Sequence, residues 1–391
     1  MILYKRGYKK TASHYFRIKS GDLTVLATLF IAQTLAVCER NYITDLSFKV
    51  SGSHLTFPCE STKNIYLQSG RYISKNIIGT RMQIYKDEAF IALPRYRTGV
   101  PFTLAKFSLR TRGCVASLTP YPCWSLQEEG NCKAIQSAVD ICIDQMDILW
   151  VLDSGICNTL EQPVRRCAPK LIGIELKTGQ VVKMIDLSNF VTPESRLQYL
   201  VIDYAADGHA FAYISDAGAR SIIVYNIMEN KGYRVVLPKP CCACAPDVLY
   251  LCLVRRCCGN ELFFTYLSGD KIYKVKCGFL QSGQAAGAIV ECGIKPADRK
   301  IVFLGTDNGA AIFFRYKGES DIYIWNTETC FKSENGLLVQ KGNECRLPTE
   351  VVPGYKRLMW VIESNFPDYV TNTVGCLGAS VVVHPLVKTC D

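Results

Sequence analysis

Carboxylates that close apolar runs are the residues of this chain best placed to do chemistry. Asp153, Asp216, Asp307 and Glu363 each end a hydrophobic stretch and are followed by Ser-Gly, Ala-Gly, Asn-Gly and Ser-Asn. If the fold gathers these strand ends around one mouth, the carboxylates could hold a cationic amine or take a proton from an acidic ring system. Asp153 and Asp216 are then the candidate catalytic residues, and Arg95 and Asn308 could supplement the site. Asp beside Gly also makes hydrogen bonds within its own turn, an equally economical role. Other catalytic signatures are missing from the sequence: no G-x-S-x-G, H-E-x-x-H, P-loop or G-x-G-x-x-G occurs. His14 lies in the N-terminal leader, and His54, His209 and His384 suit structural or solvated positions better than general-base work.

The elements that must position these residues repeat along the chain. ILWVLDSG (Ile148 to Gly155) has echoes at Ala89–Gly99, Phe211–Gly218, Leu262–Gly269, Ile301–Gly309 and Leu358–Asn365, each followed by a second strand-like run. β-Branched and aromatic residues dominate the runs, and Asp, Asn, Ser and Gly bound them, which favours short strands over helices. Six copies at intervals of roughly 40 to 60 residues predict four-stranded sheets arranged radially. The fold class expected is all-β, a six-bladed β-propeller over residues 60–391, with the named runs as inner or next-to-inner strands. No linker or low-complexity segment divides the chain, and 49% hydrophobic residues suffice for a large core.

The N-terminus reads as a secretory signal over residues 1–38, with 39–59 as an N-terminal extension. Six basic residues precede the apolar run Leu23 to Val37, and small residues permit cleavage after Ala36 or Cys38. That run is short for a membrane span, so no membrane association is expected after cleavage. Removing residues 1–38 lowers the net charge from +10 to +5, which takes away the main support for nucleic-acid binding. Twenty cysteines in an exported chain point to disulfides. Candidates are Cys157, Cys167, Cys241, Cys242, Cys244, Cys252, Cys257 and Cys258. Their spacing matches no zinc pair of pairs, so no metal or other cofactor is expected. Cleavage after Cys38 leaves nineteen cysteines, so at least one thiol would stay free or pair with another chain. Twenty-one tyrosines suit half-buried strand positions and, when exposed, oxidative coupling.

Five ordered segments carry a family resemblance: PRYRTGVPFTL (from Pro94), LTPYPCW (from Leu118), LWVLDSG (from Leu149), CAPKLIGIELKTG (from Cys167) and FAYISDAGARSIIVYN (from Phe211). With IYIWNTET from Ile322, they resemble the insect yellow and major royal jelly protein family from about Phe57 onward. FPCESTKNIYLQSGRY, NTLEQPVRRC, GTDNGAAIFFRYKGESDIY and PGYKRLMWVIESNFPDY resemble its ovarian yellow-g branch, associated with the eggshell. The resemblance implies a secreted six-bladed propeller. Within the family some members convert dopachrome in melanin formation, some bind biogenic amines, and others are structural or nutritive. The function expected is a structural or maturation component of an insect extracellular layer, partnered by matrix or eggshell proteins. The alternative is a dopachrome isomerase, or a channel that binds a small catechol or amine. Relatives often carry Cys where this chain has Met146, which leaves Cys157 or Cys142 as the expected partner of Cys167.

Overall fold

The computed structural model describes residues 46–110, 115–237, 247–285, 287–342, 345–376 and 378–386. The expected leader, residues 1–38, and three of the disulfide candidates, Cys241, Cys242 and Cys244, lie outside the described residues. The regular structure of the described residues is mainly short strands, with three short helices, Glu60–Gln68, Cys277–Gln281 and Phe366–Val370.

The first strand, β1 (Phe48–Leu55), is followed by an antiparallel meander of β2 (Arg81–Tyr85), β3 (Glu88–Ala92), β4 (Leu104–Ser108) and β5 (Val115–Pro120). A second sheet holds β6 (Ala138–Ile143) and β7 (Ile148–Asp153). It is completed, after a small hairpin of β8 (Ile156–Cys157) and β9 (Val164–Arg165), by β10 (Lys170–Glu175) and β11 (Val181–Asp186). The third sheet is β12 (Leu197–Tyr204), β13 (Ala210–Asp216), β14 (Ser221–Asn226) and β15 (Lys231–Val236). The fourth is β16 (Leu249–Val254), β17 (Glu261–Tyr266), β18 (Lys271–Lys276) and β19 (Val290–Ile294). The fifth is β20 (Ile301–Thr306), β21 (Ala311–Tyr316), β22 (Ile322–Asn326) and β23 (Gly336–Gln340). Finally β24 (Leu347–Pro353), β25 (Met359–Ser364) and β26 (Val381–Pro385) join the first strands in one eight-stranded sheet, ordered β2-β3-β4-β5-β1-β26-β25-β24.

The leading strands of these groups touch in a circuit: β2 meets β6, β6 meets β12, β12 meets β16, β16 meets β20, β20 meets β24, and β24 returns to β2. This is an all-β, propeller-like arrangement. β1 fastens the two chain ends, running parallel to β5 on one side and antiparallel to β26 on the other, with Val50 opposite both Ala116 and Val381. It lies within the stretch expected to be an N-terminal extension, so strand pairing begins at Phe48 rather than at residue 60. FKVSGSHL carries buried Phe48 and Val50 among exposed polar neighbours and lacks the continuous apolar character of the repeated runs.

Five of the six named runs fall on second strands, β3, β7, β13, β17 and β25. These strands are buried almost throughout, as in β13, where all seven residues are buried. The fifth copy differs: Ile301–Gly309 is the leading strand β20 and its turn, and AIFFRY in β21 is the counterpart of the other runs. Between neighbouring sheets the second strands pack in layers. Trp150 and Leu152 of β7 share one apolar cluster with Ala212 and Ile214 of β13, and Phe263 of β17 meets Trp325 of the third strand β22 at 5.7 Å between ring centroids. Burying each such side chain contributes on the order of 1.5–3 kcal/mol.

One disulfide is present among the described residues, joining Cys132 to Cys167. The partner of Cys167 is thus neither Cys157 nor Cys142. Cys157 is buried with its thiol directed at the Gln136 carbonyl oxygen, and Cys142 sits in the leading strand β6. Cys252 is a buried free thiol in β16, and Cys257 and Cys258 are exposed free thiols.

Candidate functional site

The circuit of leading strands encloses two cavities, one above the other. The upper, of about 390 Å³, is lined among others by Arg81, Tyr96, Tyr199, Tyr250 and Phe366. The lower, of about 360 Å³, is lined by residues further along the same leading strands, including Asp140, Cys142, Cys252 and Glu350. Arg81 and Tyr199 line both, and so form the waist between them.

Arg81 stands at the start of β2 and its side chain is mostly buried, 13% exposed. It donates to the Thr349 carbonyl at 3.0 Å, lies 3.6 Å from the Asp140 carboxylate, and rests over the Tyr199 ring at 4.3 Å from the centroid. Asp140, on β6, accepts backbone N–H groups from Ile141 (3.0 Å) and Leu200 (2.7 Å), which ties β6 to β12. Glu350, on β24, accepts the Met82 N–H and so ties β24 to β2. Three charged residues from three strands therefore meet at the waist, two acidic and one basic. Burial pushes the Glu350 carboxyl up to about 8; Arg81 opposes the rise and Asp140 adds to it. Burial likewise raises Asp140, to about 6, against Arg81 and its two backbone donors. One guanidinium balances one carboxylate, so the pair keeps a proton at neutral pH. Tyr199 is pushed up to about 12 by burial, with Arg81 pulling the other way, so its hydroxyl stays protonated. Burial also raises the thiols of Cys142 and Cys252 to about 12, which leaves both unreactive.

The upper cavity is electropositive. Arg81, Arg165, Arg196 and Arg315 line it, and no Asp or Glu does so among the described residues. The aromatic side chains form a surface beside these cations: Tyr199 and Tyr250 lie 5.2 Å apart, and Tyr96 and Phe366 6.1 Å apart. A planar anionic ring matches both features.

The sequence-derived candidates occupy other places. Asp153 is fully buried; its carboxylate accepts the N–H groups of Gln136 (2.8 Å), Ser137 (2.8 Å) and Gly155 (2.9 Å) and pairs with Lys170 at 2.8 Å. Asp216 is also fully buried and accepts from Arg196 N (2.8 Å) and Ala219 N (3.0 Å); its second oxygen has no hydrogen-bond partner among the described residues. Neither lines a cavity, although Ser154 and Arg196 beside them do. Asp307 sits in the exposed β20–β21 turn, accepting from Gly309 N at 2.8 Å and Ala311 N at 3.1 Å. Its neighbour Asn308 lines the lower cavity, at the opposite end of the leading strands from Asp153 and Asp216. Glu363 is buried between Gln340 (3.3 Å) and His384 (3.5 Å). Arg95 is buried, and its guanidinium donates to five carbonyl oxygens, those of Val100, Ile135, Gln136, Pro101 and Gln127.

Sequence reasoning passed over Arg81, Asp140, Tyr199 and Glu350. A usable signal existed, since SAVDICI and LPTEVVP each set one carboxylate inside an otherwise strand-like apolar run. A charge in that position must face a channel or a partner.

Among the described residues, no helix is long and apolar enough to cross a membrane. The chain is 30% identical to Major royal jelly protein 7 of Apis mellifera, an alignment covering 82% of this chain and 77% of that protein. It is 31% identical to Major royal jelly protein 2 of the same species, over 89% and 80% of the two chains. Dopaminechrome tautomerase of Drosophila melanogaster is 26% identical over 77% of this chain and 73% of its own. Residues 136–388 match the family described as Major royal jelly protein. With both ends of the fold and the channel lining in place, the chain belongs to the major royal jelly protein family.

Proposed function

We propose that this is an exported six-bladed propeller that binds a small planar anion derived from a catechol, of the carboxylated aminochrome class, and isomerises it at the channel waist. The observation that carries the reading is the pair Arg81 and Tyr199, shared by the two cavities, with Glu350 beside them in the wall of the lower one. Isomerising an aminochrome to a dihydroxyindole relocates protons without net oxidation: a base removes a proton from a saturated ring carbon, and an acid delivers one to a ring oxygen. Glu350, with a proton affinity near 8, can do both at neutral pH, and Arg81 stabilises negative charge developing on the ring oxygen. The tautomerase among the relatives supports the reaction class. Four arginines lining the upper cavity favour an anion over an amine. The blade count follows if the large sheet is divided at its parallel β1–β5 pair into two four-stranded halves. Export is supported by the basic stretch before Leu23 to Val37 and by the Cys132–Cys167 disulfide.

The test is the decay of dopachrome with purified protein and with Glu350→Gln. Acceleration that drops about 100-fold in the variant is expected. No acceleration over buffer would refute turnover, and equal acceleration by the variant would free Glu350 of its role.

A second reading, incorporation into an extracellular layer such as the eggshell, is favoured by the exposed thiols of Cys59, Cys123, Cys330 and Cys376. It draws on the ovarian-branch motifs and requires matrix or eggshell partners. Extraction of the protein from isolated shells by denaturant without reductant would rule out disulfide attachment.

A further inference from the structure

The turn between β16 and β17 runs Arg255-Arg256-Cys257-Cys258-Gly259-Asn260. Its base is clamped. Arg256 donates through Nε to Glu261 at 2.6 Å and through Nη2 to the Thr327 carbonyl and hydroxyl at 3.0 and 2.9 Å. Asn260 accepts the Arg256 N–H at 3.2 Å and donates to Asp203 at 2.6 Å. Gly259, at φ +103°, turns the chain back between these anchors. On the tip stand Cys257 and Cys258, both exposed, with their sulfur atoms 3.6 Å apart. They contrast with the strand cysteines Cys142 and Cys252, which burial keeps protonated. The neighbouring Cys257 side chain raises the Cys258 thiol.

We propose that Cys257 and Cys258 form a two-electron thiol–disulfide exchange site that closes to a vicinal disulfide by reducing a low-molecular-weight disulfide of the glutathione class. In the first step one cysteine thiolate attacks a sulfur of the small disulfide, forming a mixed disulfide and releasing one small thiol. In the second the neighbouring thiolate attacks the protein sulfur and releases the other. Two cysteines are oxidised, one small disulfide is reduced to two thiols, and the two cysteine protons end on those thiols. The clamped base holds the sulfurs together, so the second step is intramolecular. Adjacent Cα atoms are about 3.8 Å apart, below the roughly 4.4 Å at which ordinary disulfides begin. The closed ring therefore carries strain, and strained, exposed disulfides are readily reduced. The pair acts as a reversible switch, whereas Cys132–Cys167 is a staple. Arg255, the first residue of the same turn, lines the lower cavity, which places the switch at the rim of the channel.

The sequence isolates the pair for measurement, because trypsin cleavage after Arg256 and Lys271 releases residues 257–271, which contain no other cysteine. Folded full-length protein is equilibrated in glutathione buffers of graded ratio, quenched with acid, alkylated and digested. The expected result is a peptide doubly alkylated at the reducing end and lighter by two hydrogens at the oxidising end. Its crossover should come under milder reduction than opening of Cys132–Cys167. Cys258→Ser should stop at a single glutathione adduct on Cys257. Alkylation of both thiols throughout, a persistent glutathione adduct in the wild type, a link to any other peptide, or a crossover more reducing than that of Cys132–Cys167 would each overturn the proposal. Full alkylation of Cys258→Ser in the same buffers would overturn it as well.

Discussion

The guanidinium of Arg81 and the ring of Tyr199 face each other at 4.3 Å, and these two side chains are shared by both cavity walls. The contact couples the electrostatics of the waist to its shape. The cation needs its carboxylates because it is out of water, and the ring that covers it also divides the channel.

Substituting Tyr199 separates these roles. Tyr199→Phe keeps the face over Arg81 and should cost less than about 1 kcal/mol, since the quadrupole is retained. Tyr199→Ala removes the ring, joins the two cavities and should cost about 3 kcal/mol in urea unfolding. Binding of an anionic ring, followed by calorimetry, should survive the first change and weaken at least tenfold in the second. Equal binding by both would show that the ligand does not reach the waist.

Arg81→Gln leaves Asp140 and Glu350 without their cation. Breaking a buried pair on one side typically costs about 3–5 kcal/mol. The loss should be largest at pH 8, where both carboxylates are pressed to ionise, and smaller at pH 5, where both hold protons at little cost. Unfolding curves at the two pH values check this; a loss independent of pH would mean that the carboxylates are balanced by another group.

Glu350→Gln has the opposite signature. The folded carboxyl titrates near 8 and an unfolded Glu near 4.5, so the folded state binds the extra proton between these values. That contribution is fully present below about pH 4.5 and is lost as pH rises through 8. Relative to the variant, the wild type should lose on the order of 2 kcal/mol from pH 5 to pH 8, a figure kept below the full shift because Asp140 shares the proton. Parallel pH profiles for the two proteins would show that Glu350 does not carry the proton.

The second strands were legible in the sequence because they are buried on both faces: in β7, β13 and β17 nearly every residue is buried and most are apolar. The leading strands were not, because one face looks into the channel. There Arg81, Asp140 and Glu350 interrupt the apolar pattern. The same difference explains the slip at the fifth copy. IVFLGTDNG ends on Asp-Asn-Gly and imitates the other runs, but that signal belongs to the β20–β21 hairpin, and Asp307 consequently lies at the opposite end from Asp153. Arg95, expected to supplement the acidic site, is instead held by backbone carbonyls. Its five carbonyl partners come from segments that only the folded chain brings together.

Those five carbonyls make Arg95 a structural residue of the loops between β3 and β7. Arg95→Lys should fail to replace it, since an ammonium has three donors and no planar fork. A destabilisation of about 3 kcal/mol or more is expected for Arg95→Lys and Arg95→Ala alike, with several carbonyls left unsatisfied. In whatever fraction stays folded, affinity for the channel ligand should be unchanged; a selective loss of affinity in a stable Arg95→Lys protein would return this residue to the binding site.

The Cys132–Cys167 bridge closes a loop that contains Gln136, Ser137, Asp153 and Cys157, so it constrains the segment that holds both Arg95 and the Asp153–Lys170 pair. Cross-linking across a separation of 35 residues stabilises the chain by about 2 to 4 kcal/mol through the entropy it removes from the unfolded state. Cys132→Ala and Cys167→Ala should therefore lose similar amounts, and the double variant little more, because each single change already opens the bridge. Cys157→Ala removes only a buried sulfur and its contact with the Gln136 carbonyl, and should cost about 1 kcal/mol or less, with the bridge intact on a non-reducing peptide map. The comparison tests the pairing as well as its energy. If Cys157→Ala proves as damaging as Cys167→Ala while Cys132→Ala is tolerated, the oxidised partner of Cys167 is Cys157, and the loop around Asp153 must be closed from its other side.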